Sequence, residues 1–97
     1  MEQYQREICE ECVKKYGVES QINVAIEEMS ELTKALCKWN RAELPGETME
    51  LRDHVMEELA DVIIMTEQLK IMFAAADEEL KDHIRFKLNR QKERMDG

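Results

Sequence analysis

Ile22, Ala25, Ile26, Met29, Leu32, Thr33 and Leu36 recur every three or four positions through one uninterrupted stretch. A stripe of that period lies along one side of an α-helix, whereas a strand would need strict alternation. The same rhythm appears in three further segments. One runs from residue 2 to about 16, with Tyr4, Ile8, Cys12 or Val13, and Tyr16 on one side. Another spans about 48–74 and carries Leu51, Val55, Leu59, Val62, Leu69 and Phe73; the last spans about 77–95 and carries Leu80, Ile84, Leu88 and Met95. No segment alternates as a strand would, and none repeats. The expected fold is all-α, an antiparallel bundle of about four helices.

The breaks between segments agree with that reading. Gly17 stands where a left-handed C-cap belongs, and Ser20 is the expected N-cap of a second helix ending near Arg41 or Glu43. Leu44-Pro45-Gly46-Glu47 holds the only proline and reads as a loop, with Thr48 as the cap that follows. Ala74-Ala75-Ala76 is a weaker break, after which Asp77-Glu78-Glu79 supplies the acidic first turn that a helix dipole favours.

A chain of 97 residues is one domain, 1–97. So short a helical chain buries a limited core, and homo-oligomerisation is the expected way to complete it. Fourteen Lys and Arg against twenty-two Asp and Glu leave a net charge of −8, which excludes a nonspecific nucleic-acid binder. No apolar run approaches the roughly 18 residues of a membrane span, and the polar start, Met1 to Gln5, has no signal-peptide core. The expected setting is the cytoplasm. Cys9, Cys12 and Cys37 are an odd set of thiols; Cys9 and Cys12 have CxxC spacing but no second pair to finish a zinc site. They read as helix-packing thiols.

The chemistry-bearing residues are acids. Glu28 and Glu31 lie three apart on the second helix, and Glu58 and Asp61 lie three apart on the third. Residues at that spacing share a helix face. Glu58 also falls one heptad before Met65 and two before Met72, about 60–70° from the centre of the apolar face at 100° per residue. Two helices that bring such pairs together confront four carboxylates, a costly arrangement unless a cation neutralises them. A hard divalent ion with oxygen ligands fits: Mg²⁺, with Mn²⁺ as a substitute. The simplest competing reading is that these acids are solvated faces of ordinary helices. His54 and His83 have no acid three residues before them, which counts against a di-iron bundle.

Tyr16-Gly17, Gln21, the string Ala25-Ile26-Glu27-Glu28-Met29-Ser30-Glu31-Leu32 and then Glu57-Glu58-Leu59-Ala60-Asp61-Val62 together resemble the MazG-type nucleotide pyrophosphohydrolases. Their pattern is EExxE followed by ExxD, and the 26 residues between Glu31 and Glu58 are within what the family tolerates. The resemblance covers about residues 16–94. It implies an all-α homodimer or homotetramer that hydrolyses (deoxy)nucleoside triphosphates, with Mg²⁺, to monophosphate and pyrophosphate, a nucleotide-pool housecleaning activity in some members. Glu28, Glu31, Glu58 and Asp61 would then be the metal ligands. Glu27 or Glu31 would accept the proton of the attacking water.

His83, Lys87, Arg90 and Arg94 form a basic stripe beside the last apolar face. By the same resemblance Lys87, Arg90 and Arg94 would hold the triphosphate tail, for which Arg offers a bidentate fork. Their competing role is to complement the helix C-terminus. Lys38 is the one cation of the second helix expected to join them, and Gln21 and Asn23 are candidates to read base edges. Trp39, able to stack on a base, reads first as packing. Neither nucleic acid nor membrane is an expected partner. Two other classes compete with the hydrolase: a helical dimerisation or adaptor module with solvated acidic faces, and a metal-binding bundle that spares nucleotides.

Overall fold

The computed structural model describes residues 1–43, 46, 48–74 and 77–97, all in helices or their connections. The order is α1 (Gln3–Tyr16), α2 (Val18–Asn40), α3 (Thr48–Met72) and α4 (Asp77–Asp96). Among the described residues the protein is all-α with four helices, as the apolar spacing predicts. Leu44, Pro45 and Glu47 of the expected loop, and Ala75 and Ala76 of the expected break, lie outside the described residues.

Several ends differ from expectation. α2 begins at Val18, so Ser20 is inside the helix and does not cap it. Gly17 is the reason. Its φ of 90° and ψ of 157° lie beyond the usual left-handed helical well and are open to glycine, and they turn the chain within one residue. Its N–H donates to the Val13 carbonyl at 2.9 Å while its own carbonyl accepts from Gln21 N–H at 3.1 Å, closing one helix and opening the next. Thr48 is likewise the first helical residue of α3, not its cap. α3 stops at Met72 because Ala74 adopts a φ of 50°. At the start of α1, Glu2 N–H donates to the Gln5 side chain at 3.0 Å, an N-terminal closure the apolar pattern does not reveal.

α2 and α3 form the principal pair, antiparallel, with α1 laid against both. Their seam follows a heptad rhythm: Gln21, Ala25, Glu28, Leu32 and Ala35 from α2; Leu51, Val55, Glu58, Val62, Met65, Leu69 and Met72 from α3. Ala25 and Ala35 are 2% and 1% exposed, so small side chains let the two backbones approach closely. Gln21 donates its amide to Gln68 Oε1 at 2.7 Å, a buried polar pair that sets the register. Seven residues on along α2 and seven back along α3 are Glu28 and Asp61.

α1 is rotated from its expected face. Tyr4, Ile8 and Tyr16 are exposed, and Cys9 is buried against the Ile64 carbonyl, 4.0 Å from its sulfur. Arg6 Nε stands 3.5 Å from Glu67 Oε1, which ties α1 to α3 on the same side. Burial, then Glu67 and Cys12, push the Cys9 thiol up, so it stays protonated and behaves as a small hydrophobe.

Only half of the α2 stripe is used. The apolar residues one place C-terminal to the seam positions Ala25, Glu28, Ala35, Val55, Glu58 and Val62 lie on the far side of the pair: Ile26, Met29, Leu36, Met56, Leu59 and Ile63, all exposed. α4 packs on none of the other helices, and its Ile84, Phe86, Leu88 and Met95 face solvent. Among the described residues it is tied to α3 through Lys70, which meets Asp77 at 3.1 Å and Glu67 at 3.5 Å. The radius of gyration is accordingly 16.6 Å, against about 12.5 Å for a compact chain of this length. Among the described residues no helix is long and apolar enough to cross a membrane.

Candidate metal centre

Glu28 and Glu58 occupy seam positions that leucine or methionine would fill in an ordinary helical pair. They are the polar layer of the α2–α3 contact. The Glu58 side chain is only 15% exposed, deeper than the flank position expected from its helical angle. Asp61 lies one place N-terminal to the seam residue Val62. Because the helices run in opposite directions, positions preceding a seam residue fall on the same side of the pair for both helices. Glu27, Glu31 and Asp61 therefore share one open flank, opposite the bare apolar side.

One oxygen from each of Glu28, Glu58 and Asp61 lies within 4.8 Å of the other two. That is the convergence expected from the spacing, for three of the four acids. Glu31 stands aside, its Oε1 accepting from Lys34 Nζ at 3.3 Å, and Glu27 is exposed on the same flank. Burial, the neighbouring Asp61 and then Glu58 and Glu31 hold the Glu28 carboxyl above the usual carboxylate range. Among the described residues neither Glu28 nor Asp61 has a Lys or Arg within ion-pairing distance, and Glu58 has only His54, its Nε2 4.0 Å away. The trio thus carries charge that the protein does not itself neutralise.

Three oxygen ligands, two of them on half-buried side chains and all short of positive charge, suit a small hard cation. Oxygens on opposite sides of an octahedral Mg²⁺ are about 4.2 Å apart, and those of a seven-coordinate Ca²⁺ somewhat more. Protonating Glu28 is the other way to relieve the repulsion.

The remaining candidates separate. Gln21 is buried and joined to Gln68, so its amide holds the seam and is not presented to a ligand. Asn23 is exposed. Lys38 is exposed and lines a cleft with Arg41, Ala42, Glu50 and Leu51. Lys87, Arg90 and Arg94 are exposed on α4, which among the described residues packs on neither acidic helix, and none of them pairs with the trio. Arg90 instead sits 5.8 Å from the Phe86 ring centre. Trp39 lines an apolar cleft with Leu36, Arg52, Val55 and Met56. Two features escaped the sequence reading: Gln68 as the partner of Gln21, and His54 beside Glu58. The second was detectable, because residues 54 and 58 are four apart on one helix. No family model, curated protein or solved structure matches the chain.

Proposed function

We propose that this protein is a Mg²⁺-dependent nucleoside triphosphate pyrophosphohydrolase that works as a homo-oligomer. The observation that carries the reading is the meeting of Glu28, Glu58 and Asp61 across the α2–α3 seam, with Glu28 held above its ordinary range. The EExxE and ExxD strings that supply those acids resemble the MazG-type enzymes. Bound there, Mg²⁺ would polarise a phosphoryl group, acidify a water and offset the charge of the leaving phosphate.

The chain's own groups then have defined tasks. Glu28, Glu58 and Asp61 would hold the cation, and Glu31, one turn from Glu28, would be a further ligand in place of its contact with Lys34. Water adds its oxygen to one phosphorus of the α–β anhydride, and the bond from that phosphorus to the bridging oxygen breaks. Glu27, or a Glu31 not saturated by metal, accepts the water's proton. Nucleoside monophosphate and pyrophosphate leave.

Homo-oligomerisation draws support from surface area. The chain exposes 7775 Å², whereas a folded monomer of its mass exposes about 5,800 Å². The surplus is of the size a stable dimer interface removes. Lys87, Arg90 and Arg94 do not pair with the trio within this chain, and a second copy packed against α4 would be one way to bring such cations to the site. The bare apolar flank and loose α4 also favour a second reading, a non-catalytic dimerisation module.

Pyrophosphate release from a panel of ribo- and deoxynucleoside triphosphates, with and without Mg²⁺, separates the two. Mg²⁺-dependent release that vanishes in Glu58→Gln is the expected result. A wild-type protein that binds Mg²⁺ yet spares every nucleotide would leave a metal-binding bundle, and one that does neither would leave the adaptor.

A further inference from the structure

The open flank of the α2–α3 pair changes sign along its length. On α2 the stripe reads Glu27, Glu31, Lys34, Lys38, Arg41, in steps of four, three, four and three, so all five share one line. The 3.3 Å contact between Lys34 Nζ and Glu31 Oε1 marks the crossing from acid to base. On α3 the facing line reads Asp61, Glu57, His54, Glu50. Beyond the crossing, the end of α2 and the start of α3 part to leave a cleft of about 340 Å³ lined by Lys38, Arg41, Ala42, Glu50 and Leu51. Among the described residues no carboxylate is within ion-pairing distance of Lys38 or Arg41, although Glu50 shares their cleft.

We propose that the Lys38–Arg41 cleft seats the terminal phosphates of the nucleotide whose anhydride is held at Glu28, Glu58 and Asp61. This rests on the hydrolase reading and adds to it where the tail lies. Lys38 is seven residues from Glu31 and ten from Glu28, about 10 and 15 Å along the helix at 1.5 Å per residue. A triphosphate alone is too short for that interval, and the long lysine and arginine side chains, reaching back along the helix, make up the rest. Arg41 offers a fork that matches two phosphate oxygens, and Lys38 a mobile point charge beside it. The α2–α3 pair places this cleft on the two helices that carry the trio, whereas the α4 cations lie on a helix that packs on neither among the described residues. Glu50 opposes an anion in the same cleft and tempers its affinity, which allows pyrophosphate to depart.

The probe is inorganic tripolyphosphate with Mg²⁺, titrated by calorimetry and by the fluorescence of Trp39, the only tryptophan and the neighbour of Lys38. Binding of this probe does not require turnover of a nucleotide. Lys38→Ala/Arg41→Ala should weaken it roughly tenfold or more, the scale of losing two charge-assisted contacts at a solvated site. Glu50→Gln should tighten it, and Lys87→Ala/Arg90→Ala should change it less than about twofold. The cleft variant should also raise KM for nucleotide with kcat little altered. Wild-type affinity in the cleft variant, a loss confined to the α4 variant, or no binding by the wild type would each overturn the proposal. Tripolyphosphate held in the cleft by a protein that hydrolyses nothing would keep the cleft and discard the hydrolase.

Discussion

α3 and α4 are consecutive helices with opposite fates. α3 runs the full length of α2, buries Met65 and Gln68, and carries Glu58 into its seam with Asp61 beside it; α4 buries nothing and hangs from the Lys70–Asp77 pair. Both have apolar stripes at helical spacing. The difference is that the α3 stripe meets small residues, Ala25 and Ala35, on a helix already beside it, while the stripe of α4 meets no partner in its own chain. Periodicity therefore says that a face wants covering. It does not say what covers it.

The comparison can be broken most sharply at the acids. Glu58→Gln should reduce hydrolysis at least about 100-fold, as befits loss of a metal ligand, while helicity by circular dichroism is kept and metal-free thermal stability rises. Removing one repelling carboxylate relieves a cost that only the metal offsets. An unfolded variant would make the acid structural instead. If α4 held the chemistry alone, Lys87→Ala would do the greater damage.

Packing supplies the next contrast. Met65→Ala empties a buried seam position and should cost about 2–5 kcal/mol in urea unfolding. Leu88→Ala on α4 should cost at most about 0.5 kcal/mol in a dilute monomer, since its side chain is already wet. A large, concentration-dependent loss at Leu88 would instead place α4 against another copy.

A smaller effect tests the register. Gln21→Leu leaves the Gln68 amide buried without its partner and should cost about 1–3 kcal/mol; Gln21→Leu/Gln68→Leu should recover most of it. Additive losses in the double variant would show that the pair is not a coupled unit.

The smallest expected effect is in pH. The Glu28 carboxyl titrates above its ordinary value of 4.5 in the folded chain, so the folded state binds the extra proton. Its contribution is full below 4.5 and is lost as pH rises through the raised value. Relative to Glu28→Gln, the metal-free wild type should thus gain stability on acidification from neutrality toward 4.5, and saturating Mg²⁺ should remove the difference. A parallel pair of curves would mean that Glu28 feels no net repulsion.

Most of the fold and part of the centre were legible in the sequence. α4 occupies Asp77–Asp96, close to its expected span, because an acidic first turn marked its start. Ser20 misled because a cap-forming side chain is only an option, and Gly17 could end one helix and begin another without it. Glu58 stood out because it shares heptad spacing with two methionines. Gln21 did not read as a core residue, since a polar side chain is buried only when a partner is at hand, and Gln68 lies 47 residues away.

By itself the sequence determined the helical class, the amphipathic faces and the chemical character of the centre, all of which follow from side-chain type and a period of 3.6 residues. It took the folded chain to set Glu28 against Glu58 and Asp61 and to bring the cations of α2 onto the same flank as the acids of α3. These depend on the register of two helices. Close packing over Ala25 and Ala35 and one buried glutamine pair select it, and no local spacing encodes it.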